Sequence, residues 1–344
     1  MFFSRAFSPA YGTARGVWAA LTGIPDVQVG KTSSRNPMAV DQHMILNDFK
    51  DHEKFYFLGG SASWANIRGV LNNNIPDLKI YEQGSYAANE VDVWGISDNS
   101  LFIEANSVLK QKSKPFFAII QTADNHRPYT IPKEDQKSFI KVTVPLDSLK
   151  IFGFESNDEF NAFRYTDFCI QNFIEAAKKE KYFNETLFVF VGDHGIKGDA
   201  GSMLPRVFSE NNLTNMHVPL LFYAPSLLKT ATYSTPVSQI DVMPSIASLM
   251  NINYTNTTLG RNVFSLTEKN NSIFLYDDFA HSIGLFNNQY YVGFPINNSK
   301  QLHFKSSIDN QKIVNDSALN AMKKMTELLY ETSKYMLTHN QKSK

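Results

Sequence analysis

The sequence has a single cysteine, no excess of either charge and no long apolar run. Cys169 has no second cysteine to pair with, so the internal disulfide framework of small secreted proteins is excluded. Lys plus Arg and Asp plus Glu number 33 each, so no net field attracts the chain to nucleic acid or to an acidic membrane. No apolar run approaches the roughly 18 to 20 residues that cross a bilayer. Any partner must therefore be recognised locally.

What the sequence does contain is a pattern of short buried strands and amphipathic helices. Continuous apolar runs at 116–120, 187–191 and 218–223 predict buried strands. Apolar residues at helical spacing over 163–181, with lysines at the end, predict a helix, and a second one is predicted over 240–250. Strands that alternate with helices predict an α/β fold with a mostly parallel sheet covered by helices on both faces.

The pattern changes beyond residue 270. Strand-like segments at 272–276 and 289–294 and a helix at about 318–337 predict a small α+β subdomain. At 344 residues the chain is long enough for about two domains. We therefore predict a main domain over residues 1–270 and a C-terminal subdomain over residues 271–344.

The motif Gly192-Asp193-His194-Gly195 follows the strand predicted at 187–191. It places a carboxylate and an imidazole at the carboxyl end of a strand, where open α/β sheets bind their ligands. Both side chains are suitable ligands for Zn or Mn. The alternative is a plain turn, because Asp and Gly are turn formers.

Thr13 follows Gly12 at the predicted start of a short apolar helix that ends at Gly23 and Pro25. A hydroxyl in that place faces free backbone N–H groups and the positive end of the helix dipole, which favours an anionic phosphate. The alternative is that Thr13 serves only as an N-cap.

The order of the motifs is more specific than any one of them. Along the chain come Gly12-Thr13 with Leu21-Thr22-Gly23, Trp94-Gly95-Ile96-Ser97-Asp98, Asn125-His126-Arg127-Pro128-Tyr129, Asp193-His194-Gly195, His217-Val218-Pro219-Leu220-Leu221 and Gln239-Ile240-Asp241-Val242-Met243-Pro244-Ser245. This order resembles the sulfatase-like branch of the alkaline phosphatase superfamily, and within it the lipoteichoic acid synthase type of phosphoglycerol transferase. The resemblance covers roughly residues 7–297.

The resemblance implies a phosphotransfer enzyme. In that family a threonine attacks a phosphodiester, and the phosphoglycerol group passes through a phospho-threonine intermediate to an acceptor hydroxyl. Thr13 matches the nucleophile, and the resemblance implies that Thr13, Asp193 and His194 hold a divalent metal, Mn or Zn. A metal in this place would lower the pKa of the threonine hydroxyl and offset charge on the phosphate.

The nucleophile position separates this chain from true sulfatases. Those enzymes carry Cys or Ser there, followed nine and ten residues later by Thr-Gly, and the same count from Thr13 reaches Thr22 and Gly23. Thr13 cannot become formylglycine, and Arg15 and Val17 replace the Pro and Arg of the sulfatase signature. Sulfate-ester hydrolysis by the usual route is therefore not expected, while covalent phosphoryl transfer is open.

Three residues are predicted to shape a pocket for the donor. The resemblance implies that Trp94 lines a head-group pocket and that His126 hydrogen-bonds the phosphoglycerol group, and Arg127 beside it suits an anion. The alternatives are a buried tryptophan before a helix capped by Ser97, and a solvated loop at 125–129.

Three further residues match family segments. His217 precedes a predicted strand and is a candidate phosphate or substrate contact, with a surface loop histidine as the alternative. Gln239 and Asp241 are predicted to cap and orient the next helix, outside the site.

These observations give one leading hypothesis and two alternatives. The leading hypothesis is a metal-dependent transferase that moves a phosphoglycerol-type group from a phospholipid donor onto an envelope glycan or glycolipid. The resemblance implies a parent protein anchored in a bacterial cell membrane, with its catalytic domain extracytoplasmic. The first alternative is a hydrolase of phosphodiesters, phosphonates or sulfate esters from the same superfamily. The second is a non-catalytic fragment or pseudoenzyme that binds an anionic head group.

The resemblance also implies an acidic metal ligand on a strand upstream of the nucleophile. Residues 1–12 contain neither Asp nor Glu. We therefore expect an N-terminally truncated chain that lacks this first strand and has poor activity as given.

Overall fold

The computed structural model describes residues 1–266 and 271–342. Contacts divide the chain into a first unit, made of Met1–Asp48, Phe188–Tyr223 and Leu228–Lys344, and a second unit, made of Phe49–Leu187 and Ala224–Leu227. The boundary predicted at residue 270 falls outside the described residues, so the division at that point stays a prediction.

Helices and strands alternate along much of the chain, and the predicted α/β class is confirmed. The strands are β1 (Phe2–Phe7), β2 (Glu53–Leu58), β3 (Leu78–Tyr81), β4 (Phe116–Gln121), β5 (Phe188–Val191), β6 (His217–Tyr223), β7 (Thr232–Tyr233), β8 (Val237–Ser238), β9 (Ile273–Asp277), β10 (Ser282–Phe286), β11 (Tyr290–Pro295) and β12 (His303–Ser306). The α-helices are α1 (Thr13–Thr22), α2 (Ile67–Asn74), α3 (Asp98–Leu109), α4 (Leu146–Ile151), α5 (Asn157–Ala177), α6 (Arg206–Glu210), α7 (Val242–Leu249) and α8 (Asp316–His339). Within the described residues, none of these helices is both long enough and apolar enough to span a bilayer.

The main sheet of the first unit has the strand order β5-β6-β1-β7, and β8 also pairs with β1. β1 runs antiparallel to β6 and parallel to β7 and β8, and β5 runs antiparallel to β6. The strands predicted at 187–191 and 218–223 are therefore present, but they are not parallel neighbours. An apolar run indicates that a strand is buried. It does not indicate whether the neighbouring strand runs parallel or antiparallel.

β1 occupies an interior position in this sheet, although no strand is predicted for residues 1–12 from the sequence. Ser4 and Arg5 interrupt the apolar pattern, and the register with β6 shifts between Phe3 and Ala6. A β-bulge of this kind lets a strand continue past residues that break the alternation. Residues 8–12 connect β1 to Thr13.

The remaining sheet of the first unit is an antiparallel meander in the order β12-β11-β10-β9. α8 packs on β10 and β11. The strand-like segments at 272–276 and 289–294 correspond to β9 and β11, and the helix predicted at about 318–337 corresponds to α8.

The second unit contains the parallel sheet β3-β2-β4. α3 packs on β2, β4 and α5. A cluster of buried side chains fills the space between α3 and the sheet, namely Phe55, Phe57, Ile96, Leu101, Ala105 and Leu109. Burial of apolar surface stabilises by about 25 cal/mol per Å², so this cluster holds α3 and its N-terminal residues on the sheet.

Candidate active site

Thr13 is the first residue of α1 and is half-buried. The N-cap is Gly12 rather than Thr13, and its φ of 101° lies in the region that favours glycine. The backbone N–H groups of Arg15 and Gly16 both donate to the carbonyl of Gly12 at 3.0 Å. The hydroxyl of Thr13 is thus not used as a cap and lies at the positive end of α1.

Asp193 and His194 lie in the turn that follows β5. The turn is held by its backbone, because Gly192 N–H donates to the carbonyl of Pro219 at 3.1 Å and Gly195 N–H donates to that of Asn215 at 2.8 Å. A Cβ atom at residue 195 would lie 2.0 Å from the carbonyl oxygen of Thr214, so only glycine fits there. The side chains of Asp193 and His194 are 39% and 25% exposed, which leaves both accessible to a ligand.

Three side-chain atoms that could bind a metal lie close together at this turn. His194 Nε2 lies 3.5 Å from Thr13 Oγ1 and 3.6 Å from Asp193 Oδ2. His194 Nδ1 lies 2.8 Å from the carbonyl oxygen of Gly195. A carbonyl only accepts, so Nδ1 carries a proton, and in the neutral imidazole the lone pair on Nε2 is then available to a metal.

This arrangement fits a divalent metal. Ligand atoms bound at about 2.0–2.2 Å to a tetrahedral zinc lie about 3.3–3.6 Å from one another, which is the spacing around His194 Nε2. An imidazole whose other nitrogen donates to a carbonyl is the usual orientation of a metal-binding histidine. Residues 1–266 and 271–342 contain no group of three or more His, Cys, Asp or Glu side chains suited to a metal. The predicted binding of a metal by Thr13, Asp193 and His194 together stays a prediction.

Tyr11 is a neighbour of this group that sequence reasoning misses. Its ring lies 4.6 Å from that of His194 and 6.0 Å from that of Phe279. Burial and the nearby Asp193 carboxylate raise the pKa of Tyr11, so the phenol is neutral at physiological pH. The sequence feature that could have identified Tyr11 is its position directly before Gly12.

Arg15 holds α1 in place from within the first unit. Its buried guanidinium donates to the carbonyls of Asp26 and Gln28 at 2.8 Å each, and it forms ion pairs with Asp26 at 3.2 Å and Asp278 at 3.0 Å. Burial raises the pKa of Asp26, and the charge of Arg15 opposes that shift. Loss of one partner from a buried pair leaves the other charge uncompensated, so Arg15 has a structural role two residues after Thr13.

Trp94, His126 and Arg127 lie together in the second unit. Trp94 is half-buried, its Nε1 donates to the carbonyl of Arg127 at 2.6 Å, and its ring lies 4.2 Å from that of His126. The exposed Trp64 packs edge-to-face on Trp94 at 6.2 Å, a contact that sequence reasoning also misses. These three predicted residues belong to the second unit, and Thr13, Asp193 and His194 belong to the first.

The structure also agrees in part with the two alternatives, a buried tryptophan before a helix capped by Ser97 and a solvated loop at 125–129. Ser97 is the N-cap of α3 and accepts from the N–H of Ser100, but Trp94 before it is not fully buried. Residues 125–128 are exposed, and the guanidinium of Arg127 pairs with Glu155. The predicted roles of Trp94, His126 and Arg127 toward a ligand stay predictions.

His217 lies in the first unit at the start of β6, where its ring packs between Phe7 and Phe208. Its Nε2 lies 2.9 Å from the carbonyl of Ser4, in the bulge of β1. Burial lowers the pKa of His217. This nitrogen satisfies a carbonyl within the fold, and the predicted contact of His217 with a substrate stays a prediction.

Gln239 does not cap the helix after it, contrary to the prediction. Its side-chain amide instead contacts the carbonyls of Gly192 and Asp193. Asp241 does act as predicted, because its carboxylate accepts from the N–H of Ser238 at 2.8 Å.

Two buried carboxylates hold the loop that leads to His126. Asp124 Oδ2 accepts from Asp98 N–H at 2.7 Å, and Asp98 Oδ1 accepts from Ala123 N–H at 2.8 Å. Burial, and for Asp124 also the charge of Asp98, raises the pKa of Asp98 to about 6 and that of Asp124 to about 9. At neutral pH the folded chain therefore holds a proton on Asp124 that the unfolded chain has already released.

We expect Asp124→Asn to flatten the dependence of stability on pH. Raised folded-state pKa values give a stability contribution that is complete below about pH 4 and is lost as the pH rises from there to about 9. Asn resembles the neutral acid, so the variant should lose less stability than the wild type between pH 4 and pH 9, by at least about 1 kcal/mol. Calorimetric unfolding at pH 4, 7 and 9 measures this, and parallel pH slopes for the two proteins would contradict it.

Comparison with known proteins decides the family. A family model described as Sulfatase matches residues 1–252, which include all the motifs from Gly12-Thr13 to the segment at 239–245. The chain belongs to the sulfatase family. It is therefore a sulfatase-family enzyme, and the sulfatase-like family predicted from the order of the motifs is confirmed.

Within the sulfatase family, the chain is similar to lipoteichoic acid synthases. Lipoteichoic acid synthase 1 of Bacillus subtilis (strain 168) is 25% identical over 272 residues, which are 76% of this chain and 40% of that protein. The lipoteichoic acid synthase of Staphylococcus saprophyticus is 26% identical over 213 residues, which are 59% of this chain and 31% of that protein. The chain thus spans two-fifths or less of the length of these relatives.

Solved structures show the same fold. The lipoteichoic acid synthase LtaP from Listeria monocytogenes superposes with a TM-score of 0.81 at 18% identity, over 98% of this chain and 84% of that chain. A protein in the alkaline phosphatase superfamily from Vibrio parahaemolyticus gives a TM-score of 0.79 at 19% identity, over 99% and 80%. The sulfatase-family chain therefore has the alkaline phosphatase/sulfatase-like α/β fold.

Proposed function

We propose that this chain carries the catalytic centre of a phosphoglycerol-type transferase that works through a phosphorylated Thr13. The observation that carries the proposal is the position of the Thr13 hydroxyl. It lies at the N-terminus of α1, 3.5 Å from His194 Nε2, and the same nitrogen lies 3.6 Å from Asp193 Oδ2. Similarity to lipoteichoic acid synthases supports this choice among the reactions of the family.

The proposed reaction has two displacements at phosphorus. Thr13 Oγ1 attacks the phosphorus of a phosphodiester, the bond from phosphorus to the lipid glycerol oxygen breaks, and that oxygen leaves as an alcohol after taking a proton. The Thr13 proton passes to solvent, which reaches this half-exposed turn. An acceptor hydroxyl then attacks the same phosphorus and loses its proton to solvent, the bond from phosphorus to Thr13 Oγ1 breaks, and Oγ1 takes a proton back from solvent. Covalent catalysis of this kind divides one difficult step into two easier ones.

A divalent metal, Mn or Zn, is part of the proposal, with Thr13, Asp193 and His194 as its protein ligands. When bound it would lower the pKa of the threonine hydroxyl and offset the charge of the phosphate. Hydrogen bonds within the protein orient both side chains without a metal. Asp193 Oδ1 accepts from the backbone N–H of His194 at 2.9 Å, and the carbonyl of Gly195 holds the imidazole of His194.

The donor in this proposal is a membrane phospholipid head group, and the acceptor is an envelope glycan or glycolipid. Trp94, His126 and Arg127 are proposed as contacts of the head group, since the indole and the imidazole lie in contact there and the indole donates to the backbone carbonyl of Arg127. The extracytoplasmic face of a bacterial membrane is the proposed location of the parent protein. The family resemblance supports these assignments.

Product analysis tests the transferase. The chain is incubated with Mn and a phosphatidylglycerol analogue, with and without an acceptor alcohol, and the lipid and phosphoglycerol products are measured. We expect diacylglycerol in both samples, and phosphoglycerol attached to the alcohol in the second. Free glycerol phosphate as the sole phosphorus product in both samples would instead identify a hydrolase of the same family. Absence of any turnover would contradict the proposal for this chain.

A further inference from the structure

Gln239 lies buried beside the turn that carries Asp193. It is 2% exposed and is the first residue of the 3₁₀ turn before α7. Its Nε2 donates to the carbonyl oxygen of Gly192 at 2.6 Å and to that of Asp193 at 3.0 Å. Both amide protons of this side chain are therefore used on the two residues that begin the turn.

The other end of the same amide contacts the segment before the nucleophile. Gln239 Oε1 lies 3.0 Å from the hydroxyl of Ser8, and that hydroxyl also lies 2.6 Å from the carbonyl of Ala10. Ser8 is fully buried and directly follows β1, and Ala10 precedes Thr13 by three residues. One side chain thus links the segment that enters α1 with the turn that leaves β5.

The orientation of this amide is determined by its partners. Two carbonyl oxygens face one end of the side chain and can only accept, so that end must be the NH₂ group. The carbonyl of Asp193 is enclosed from a second direction, because a Cβ at Gly16 in α1 would lie 2.1 Å from it. The amide of Gln239 and the bare backbone of α1 leave this carbonyl little room to move.

We propose that Gln239 is a positioning residue that sets the distance between the Thr13 hydroxyl and the Asp193-His194 turn. The distances at issue are the 3.5 Å and 3.6 Å that separate His194 Nε2 from Thr13 Oγ1 and from Asp193 Oδ2. The catalytic consequence rests on the proposed function, whereas the effect on the turn does not. Hydrogen-bonding partners one shell behind metal ligands change affinity or activity by about 10–100-fold when removed.

The first unit supplies a matched control for this proposal. Gln42 is fully buried, and its Nε2 donates to the carbonyls of Ala39 and Leu337 at 2.8 Å each. Gln239→Met and Gln42→Met therefore each replace a buried amide that donates to two backbone carbonyls with an apolar chain of similar length. Because both changes leave two buried carbonyls without donors, we expect similar losses in melting temperature.

Hydrogen exchange of the metal-free proteins tests the structural half of the proposal. We expect backbone amides within residues 190–197 to exchange at least about tenfold faster in Gln239→Met than in the wild type, since opening of the turn costs less. Gln42→Met should leave that segment unchanged and accelerate exchange near residues 39–42 instead. Equal exchange of residues 190–197 in all three proteins would overturn the proposal.

Calorimetric titration with Mn alone and steady-state kinetics test the catalytic half. In Gln239→Met we expect Mn affinity and kcat to fall about 10–100-fold, with KM changed by less than about threefold, while Gln42→Met resembles the wild type. Equal Mn affinity and kcat in the two variants would overturn the positioning role. A wild-type chain that neither binds Mn nor turns over the donor would overturn the proposed function, and the exchange comparison would then decide the inference alone.

Discussion

Thr13→Ala should lower turnover by at least about a thousandfold, because it removes the atom that forms the covalent intermediate. The fold should remain intact. Thr13 is half-buried, its hydroxyl does not cap α1, and alanine favours a helix more than threonine does. We expect the melting temperature to change by no more than about 1.5 °C, which corresponds to about 1 kcal/mol for a protein of this size.

Thr13→Ser is the matched variant for this prediction. It keeps a hydroxyl at the same backbone position, so it should retain a measurable fraction of the activity. Trapping with a phosphodiester donor, followed by mass spectrometry of the peptides, locates the covalent adduct directly. We expect the phosphoglycerol mass on the peptide with Thr13 in the wild type and no adduct in Thr13→Ala. An adduct on any other residue, or undiminished turnover in Thr13→Ala, would rule out Thr13 as the nucleophile.

The parts of the fold that could be predicted from the sequence are those with an uninterrupted local pattern. β4 and β5 are continuous apolar runs, and α5 and α8 have helical periodicity over more than four turns. β1 has a weaker signal because its bulge interrupts the alternation. The direction of β5 and β6 depends on how distant segments pair, and the composition of a strand does not encode it.

The candidate site shows the same division. Thr13, Asp193 and His194 were accessible from the sequence because each lies next to a glycine that marks a turn, and the order of motifs connects them. Gln239 was not accessible, because its partners are backbone carbonyls 46 and 47 residues away in the chain. Because every residue has a backbone carbonyl, the sequence does not show which carbonyl a buried side chain will bond.

Asp193→Ala should reduce bound metal below stoichiometry and abolish turnover, the second large effect that we expect. The variant removes one of the three proposed ligands, and the remaining imidazole and threonine hydroxyl are too few for a catalytic metal, which usually has three protein ligands. Metal analysis of Mn-loaded or Zn-loaded protein after desalting measures the loss. Equal metal content in the wild type and in Asp193→Ala would exclude Asp193 from the ligands.

His126→Ala is the comparison that separates loss of metal from loss of donor binding. His126 belongs to the second unit, where it contacts Trp94 and the carbonyl of Arg127, so its removal should impair turnover while the metal content stays that of the wild type. Loss of metal in His126→Ala would contradict this division of roles.

Removal of the metal from the wild type should leave the turn of residues 192–195 folded. Its hydrogen bonds run from Gly192 N–H to the carbonyl of Pro219, from Gly195 N–H to that of Asn215 and from Gln239 to two further carbonyls. None of them needs a metal. A chelator should therefore abolish turnover with little change in melting temperature, and added Mn or Zn should restore activity to the wild type but not to Asp193→Ala. A large drop in melting temperature on chelation would instead mean that the metal holds this turn together, as in a structural site.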